Sequence, residues 1–261
     1  MAKPSGATLV KTAAEKAAME TRISKAAAAL AVAAPSLAST KGKTYETWVM
    51  FEIAARLAVD HKVEARNSAG NPTTTFRVRG GPGHIKSASE LPGKLPCHFE
   101  VGSPWIGEPL ERHNSVEHVG LSGETHEFDV SAIVKRCASD LRKSANGGPY
   151  RGPCALGLEL KAYDDATTLD KAIARALLGT VVDIHPGAVV KSVTIEFRAK
   201  ASDSYVQGFG HPRAALLTTA WITPETRKFL EAYGIGARPN VAPGHNEGDL
   251  DILASMISPW L

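Results

Sequence analysis

The chain has 261 residues, of which 43% are apolar and 22% charged, so it can build one large globular domain or a domain with an appendage. Its formal net charge of +3 permits nucleic acid as a partner without requiring it, and no apolar run reaches the roughly 20 residues that a membrane span needs. The three cysteines show no Cys-x-x-Cys spacing, which argues against a disulfide framework and a cysteine-rich zinc site and favours a reducing cytoplasm.

Residues 8–34 are rich in alanine and predict a helix on propensity alone. Glu15 and Glu20 lie within this segment and argue against an organelle transit peptide, because such peptides avoid acidic residues. We therefore expect residues 1–40 to form a helical extension that packs on the domain or on a second copy, and residues 41–261 to form a single domain.

A second helix is predicted over residues 45–57, where Glu46 shares one stripe with Met50, Ile53 and Leu57 at helical spacing. A carboxylate in an apolar stripe costs free energy unless something pairs with it, and a metal site at the edge of a sheet would supply that partner. The alternative is a first-turn glutamate that the helix dipole favours.

Residues 62–101 contain short extended runs at 63–66, 73–79 and 98–101, separated by glycine and proline. Arg77 and Arg79 alternate with apolar neighbours, so both are expected on one face of the second run. That face suits contact with a phosphate backbone, although a solvated edge strand that uses charge against aggregation fits the same pattern.

Residues 102–126 are rich in histidine and glutamate, which suggests a zinc site. The residues are His113, His118, His126, Glu111, Glu117 and Glu124. Their spacings match no established ligand pattern, so surface histidines, and a core or rim position for His126, are the simpler interpretation.

The run at residues 126–130 alternates as a strand does, with Phe128 and Val130 expected on one face and Glu127 and Asp129 on the other. Beyond it, Ile133, Val134, Cys137 and Leu141 recur at helical spacing and predict an inserted helix. The basic residues of this helix are predicted to contact a DNA or RNA backbone, although a solvated helix face would look the same. They are Lys135, Arg136, Arg142 and Lys143.

The run at residues 158–161 alternates in the same way, with Leu158 and Leu160 on the buried face and Glu159 and Lys161 on the opposite one. If this strand pairs with the one that carries Asp129, two carboxylates and an ammonium group converge. Carboxylates hold a hard cation such as Mg²⁺, and a lysine beside them suits phosphodiester chemistry.

Asp129 followed by Glu159-Leu160-Lys161 resembles the Asp and (Asp/Glu)-x-Lys signature of the PD-(D/E)xK nuclease superfamily, which includes many restriction endonucleases and Holliday-junction resolvases. Members of this superfamily typically carry a further glutamate on a preceding helix, and Glu46 matches that position. Phe128 stands where some members have proline. The wide gap before Glu159 makes residues 135–153 an insertion.

The resemblance implies a restriction-endonuclease-like fold and a Mg²⁺-dependent site in which Mn²⁺ can substitute. Asp129, Glu159 and the carbonyl of Leu160 would bind the metal, and Glu46 would bind it directly or through a water. Lys161 would orient the attacking water and offset the charge that develops on the phosphate.

The remaining pattern predicts α/β architecture, a central mixed sheet flanked by helices. Leu169, Ile173, Leu177 and Val181 form one helix stripe, and Thr223-Pro224 begins another helix that Gly234 closes. Further strands are expected at residues 192–198 and 214–221. A Pro/Gly loop at 236–248 is expected to precede a short helix whose apolar residues are Leu250, Leu253, Met256 and Ile257.

The implied function is a DNA endonuclease of the restriction, antiviral-defence or repair type, with RNA left open as the substrate. Cutting both strands takes two sites, so a homodimer is expected, and specificity would come from loops, the insertion or a separate recognition or regulatory chain. One alternative is an inactive nuclease-fold module that binds nucleic acid or a partner protein. A small-metabolite enzyme is the other, although the chain has no nucleophile elbow, Walker loop or dinucleotide fingerprint.

Overall fold

The computed structural model describes residues 41–90, 92–102, 108–163, 168–186 and 213–257. The predicted extension at residues 1–40 and the predicted strand at 192–198 lie outside the described residues. The helices are α1 (Lys41–Leu57), α2 (Lys135–Lys143), α3 (Lys171–Ile184), α4 (Pro224–Ala232) and α5 (Gly248–Ser255), with a 3-10 turn at Pro92–Lys94. The strands are β1 (Lys62–Arg66), β2 (His98–Gly102), β3 (Leu110–Val119), β4 (Thr125–Val134), β5 (Cys154–Lys161), β6 (Thr168–Leu169), β7 (Arg213–Thr218), β8 (Trp221–Ile222) and β9 (Gly236–Arg238).

Seven of these strands form one mixed sheet in the order β1-β2-β3-β4-β5-β7-β9. The strands from β1 to β5 pair antiparallel, and β5, β7 and β9 pair parallel. β6 and β8 form a separate two-stranded parallel pair. The predicted α/β class, a mixed sheet flanked by helices, is confirmed.

The first face of the sheet packs against α1 and α5. Met50 and Ile53 of α1 and Leu253 of α5 are fully buried against Leu156 and Leu158 of β5. The Tyr45 hydroxyl donates a hydrogen bond to the carbonyl of Val241 at 2.9 Å, which ties the start of α1 to the loop after β9. This packing fixes α1 against the strands, and Glu46, on the same helix, is only 7% exposed.

The second face packs against α3 and α4 and holds a separate apolar core. Leu177 and Val181 of α3 and Leu230 of α4 cover Phe128 and Leu216. The helix caps follow the predicted chemistry, since the Thr223 hydroxyl accepts a hydrogen bond from the N–H of Thr226 at 3.1 Å. The sheet is therefore buried on both faces around β5 and β7, as expected for parallel strands in an α/β protein.

The β3–β4 ladder is interrupted where Ser115 lies across from Asp129. Asn114 pairs with Val130 and Val116 with Phe128, but the two residues between them do not pair. Ser115 has a φ of +50°, a conformation that costs free energy for a non-glycine residue. The expectation that Phe128 and Val130 share a face is wrong, because the strand turns at Asp129 and places Val130 in the first core and Phe128 in the second.

Residues 73–79 were expected to form a strand, but they run irregularly across the first face. Phe76 is buried there, stacked on Phe99 with ring centroids 4.6 Å apart. The side-chain amide of Asn114 hydrogen-bonds both backbone groups of Arg79. Its Oδ1 accepts from the Arg79 N–H at 3.0 Å, and its Nδ2 donates to the Arg79 carbonyl at 2.8 Å. A side-chain amide thus replaces the neighbouring strand that these residues would otherwise need.

Several predicted boundaries also differ from the structure. β4 extends through Ile133 and Val134, which were assigned to the inserted helix, and Leu169 lies in β6 rather than in α3. β9 occupies the start of the predicted loop at residues 236–248 because Ala237 pairs with Leu216 of β7 and is buried. Within the described residues, no helix combines the length and the apolar character that crossing a membrane demands.

Candidate metal-dependent active site

Asp129 of β4 and Glu159 and Lys161 of β5 meet at the point where the β4–β5 pairing ends. Val130 and Leu158 are the last paired residues on this side. Oδ2 of Asp129 accepts a hydrogen bond from the backbone N–H of Leu160 at 2.7 Å. Nζ of Lys161 lies 2.6 Å from Oε1 of Glu159 and 3.7 Å from Oδ2 of Asp129. The structure therefore brings these three side chains together on two rigid strands.

Glu46 reaches the same region from the first turns of α1. Its Oε2 accepts hydrogen bonds from Nζ of Lys43 at 2.5 Å and from the Ser115 hydroxyl at 3.2 Å. Nζ of Lys43 also donates to the Ser115 hydroxyl at 2.6 Å. The Ser115 backbone turn thus places a hydroxyl between the helix and the strand that carries Asp129.

Lys43, Ser115 and Glu127 belong to the site but were not assigned to it from the sequence. Glu127 precedes Asp129 by two residues, and alternation along a strand was the signal that could have found it. Lys43 stands one helical turn before Glu46, at a spacing that brings two side chains together. Ser115 gave no signal, because its position depends on a backbone conformation that the local sequence does not reveal.

The acidic side chains raise one another's pKa values. Burial, and then the charge of Asp129, raise the pKa of Glu46 to about 7 although Lys43 and Ser115 oppose this effect. Burial and Asp129 also raise the pKa of Glu159, and burial raises that of Glu127. Burial alone would lower the pKa of Lys161, but Asp129 and Glu159 more than offset it and raise that pKa, so the ammonium stays charged.

A cation would relieve this crowding of negative charge, and the donor set suits a hard one. The hydrogen bonds and ion pairs described above use one oxygen of each carboxylate: Oδ2 of Asp129, Oε1 of Glu159 and Oε2 of Glu46. The N–H of Leu160 points at Asp129, and the carbonyl of the same strand residue points to that side as well. The residues therefore fit the cation that the resemblance implies.

The carboxylates of Glu46, Asp129 and Glu159 do not close on a single point, however. Among the described residues, these three carboxylates do not bring one oxygen each within 4.8 Å of the others. Lys43 and Lys161 hold Glu46 and Glu159 in separate ion pairs. The ammonium groups thus satisfy the acidic residues, and a cation would have to compete with them.

Three other buried side chains do bring one ligand atom each within 4.8 Å of one another. They are His98, Glu111 and His113. The guanidinium of Arg142, on α2, forms an ion pair with the carboxylate of Glu111. Its Nη1 donates a hydrogen bond to Oε1 at 2.7 Å, and its Nη2 donates one to Oε2. Burial alone would raise the pKa of Glu111, but His98, His113 and Arg142 hold it well below its usual range. Burial lowers the pKa of both histidines. A guanidinium already supplies the positive charge here, so the group is better explained as a buried ion pair that anchors α2.

The other histidines considered for zinc also have structural surroundings. His118 is 1% exposed and packs edge-on against Phe128 and Tyr150. His126 is half-buried rather than on the apolar face, and its Nε2 lies 2.6 Å from Oδ2 of Asp183 in α3. Neither residue lies in a group of described side chains that could hold a metal.

The predicted nucleic-acid contacts lie in different environments. Arg142 is 6% exposed and paired with Glu111, so the expectation that it contacts a phosphate backbone is wrong. Arg79 is half-buried, with its Nη1 donating to the carbonyl of His84 at 3.0 Å, whereas Arg77 is exposed. The two arginines therefore do not project from one strand face.

Three basic residues of α2 remain accessible. Arg136 and Lys143 have side chains 69% and 76% exposed, and Lys135 is 37% exposed and pairs with Glu100 at 2.8 Å. Arg136 and Lys143 also have acidic partners. Glu108 lies 3.4 Å from Arg136, and Asp140 lies 3.2 Å from Lys143. Exposed pairs of this kind are weak, so these cations can exchange their partners for a phosphate.

Comparisons with protein-family models, with curated proteins and with solved structures found no match for this chain. Function is therefore inferred from the side chains, their geometry and their charges.

Proposed function

We propose that the protein is a metal-dependent phosphodiesterase that cleaves nucleic acid, with DNA as the expected substrate. The observation that carries this proposal is the meeting of Asp129, Glu159 and Lys161 at the end of the β4–β5 pairing, with Glu46 coupled electrostatically to Asp129. The order of a helix glutamate, a strand aspartate and a strand Glu-x-Lys supports the resemblance to the PD-(D/E)xK superfamily.

Asp129, Glu159 and the carbonyl of Leu160 would hold Mg²⁺ or Mn²⁺, and Glu46 would contribute directly or through a water. A bound divalent cation supplies positive charge to the phosphate oxygens and favours ionisation of a water. The protein's own residues fix where this happens, because Asp129 and Glu159 project from β4 and β5, neighbouring strands in the middle of the sheet. Rigid placement of this kind is what phosphoryl chemistry requires.

Lys161 has the clearest direct role. Its ammonium group stays charged and can donate hydrogen bonds to the attacking water and to a phosphate oxygen. In the hydrolysis, the attacking water gives up one proton to solvent as its oxygen bonds to phosphorus, the bond to one ester oxygen breaks, and that oxygen takes a proton from solvent. A fixed positive charge stabilises the additional negative charge in the transition state.

A cleavage assay tests this proposal. Plasmid DNA, linear duplex DNA, single-stranded DNA and RNA are each incubated with the purified chain and Mg²⁺ or Mn²⁺, and with chelator alone. We expect the wild-type chain to cut at least one of these only with metal, and Glu159→Gln or Lys161→Met to slow cutting by roughly 100-fold or more without lowering the melting temperature.

Glu225→Gln is the matched control, because Glu225 is an exposed carboxylate on α4, outside the site. It should cut as the wild type does. Failure of the wild-type chain on every substrate would remove the proposed activity, and equal cutting by wild type and both site variants would assign it to a different site.

A further inference from the structure

The ammonium group of Lys43 occupies one half of the acidic site. It lies 2.5 Å from Oε2 of Glu46 and 2.6 Å from the Ser115 hydroxyl, and its side chain is only 19% exposed. The charges of Lys43 and Lys161 both act on the carboxylate of Glu127. The positive charge of Lys43 therefore offsets negative charge on both Glu46 and Glu127, from a helix that is packed against the sheet.

Lys161 offsets the negative charge of Glu159 and Asp129. It pairs with Glu159 at 2.6 Å and lies 3.7 Å from Asp129. The two halves meet at Asp129, whose charge acts on Glu46, Glu127 and Glu159 alike. The site thus holds four carboxylates, with the ammonium group of Lys43 against Glu46 and that of Lys161 against Glu159.

The charges of these groups limit how many ions the site can take. Four carboxylates, two ammonium groups and the guanidinium of Arg79, which interacts with Glu127, carry a net charge of −1 when all are ionised. One divalent ion brings that charge to +1, whereas a second would raise it to +3 in a partly buried site. Sites that hold two ions place them about 3.5–4 Å apart. On the Glu46 side of this site, the ammonium group of Lys43 already lies 2.5 Å from a carboxylate oxygen.

We propose that Lys43 is a built-in cation that takes the place of a second metal ion, so that each chain binds one divalent ion, at Asp129 and Glu159. This inference rests on the proposed function, since it concerns the same site. Lys43 accordingly determines how many divalent ions each chain binds. Its removal opens the half of the site formed by Glu46 and Glu127 to a second ion.

The number of ions bound is measured by titrating the full chain with Mn²⁺ and following the free ion by electron paramagnetic resonance. Mn²⁺ prefers oxygen ligands, so it selects the carboxylate site over the buried histidine group. We expect one ion per chain for the wild type and two for Lys43→Met. Lys43→Arg should restore a count of one because it keeps the charge.

Lys62→Met is the control for loss of a lysine, because the Lys62 side chain is 75% exposed and lies on β1, away from the site. Circular dichroism checks that each variant folds, and Lys43→Gln replaces Lys43→Met if the methionine variant does not. Two ions in the wild type, or one ion in both the wild type and the Lys43 variants, would overturn the inference and leave the proposed function standing. No ion in any chain would instead remove the proposed function, and this inference with it.

Discussion

Gly157 of β5 lies against the ring of Phe128, and this contact links the fold to the site. A Cβ atom on Gly157 would lie 2.5, 2.6 and 2.7 Å from three ring carbons of Phe128, whereas non-bonded carbons prefer about 3.5–4.0 Å. Phe128 is 1% exposed, and the cavity that it lines together with Gly157 and Val181 holds only about 10 Å³, too little to take up the ring. Since Phe128 directly precedes Asp129, a backbone shift at Phe128 would also displace the carboxylate of Asp129.

We predict that Gly157→Ala destabilises the protein by about 1–3 kcal/mol, the usual cost of overpacking a core. The entropic gain from removing a strand glycine offsets roughly 0.5–1 kcal/mol of that cost. Because a Cβ would lie within 2.7 Å of three ring carbons, the cost falls at the upper end of that range, and the net loss in the free energy of unfolding should be about 2 kcal/mol. Urea denaturation followed by circular dichroism measures it, and an unchanged m-value shows that stability alone has changed.

Two further variants make this prediction specific. Gly179→Ala in α3 is the control, because a Cβ there meets nothing within 4 Å, and the exposed helical position should gain up to about 1 kcal/mol. Phe128→Leu removes ring atoms, so the double variant Phe128→Leu/Gly157→Ala should lose less stability than the two single losses added together. A Gly157→Ala chain as stable as the wild type would refute the packing described here.

Two other predictions concern buried charged and titratable groups. Burial lowers the pKa of His118 to about 3 and of His185 to about 4. Because their folded-state pKa values lie below the unfolded value of about 6.5, stability is full above pH 6.5 and falls as the pH drops towards 4, by up to about 1.4 kcal/mol per pH unit for each group. His118→Leu should flatten this slope in urea denaturation between pH 6.5 and 5, and an unchanged slope would contradict the burial of His118 as a neutral ring. Arg142→Met should cost about 3–5 kcal/mol because it leaves Glu111 buried without its partner, whereas Arg136→Met on the same helix, with a side chain 69% exposed, should stay within about 0.5 kcal/mol; similar melting temperatures for the two would contradict the buried pair.

The central part of the fold could be predicted from the sequence because its patterns are local. Although the turn of β4 at Asp129 moves Phe128 to the other face, the alternating patterns placed Asp129 on one strand and Glu159 and Lys161 on another, and the helical stripe of α1 placed Glu46 against the sheet. These features depend only on the period of a strand or a helix. The N-cap at Thr223 was predictable for the same reason, since one side chain and the next turn of backbone determine it.

The remaining features depend on contacts between distant segments. β3 was not predicted as a strand, because six of its eight buried residues are polar. Of these, Glu111 is paired with His113 of the same strand and with Arg142 on a later helix. Residues 73–79 look like a strand, but the amide of Asn114 fixes Arg79 outside the sheet. The turn at Ser115 and Asp129, which brings Lys43 and Glu46 to the strand residues, is likewise a property of the β3–β4 pairing and of no single stretch of sequence.

The location of a bound cation tests the account most directly. A crystal of the protein soaked in Mn²⁺ should show one anomalous scattering peak next to the carboxylates of Asp129 and Glu159 and the carbonyl of Leu160, and the Asp129→Ala crystal should lack it. A peak at His98, Glu111 and His113, or no peak beside Asp129, would contradict the assignment of this site to metal-dependent phosphodiester cleavage.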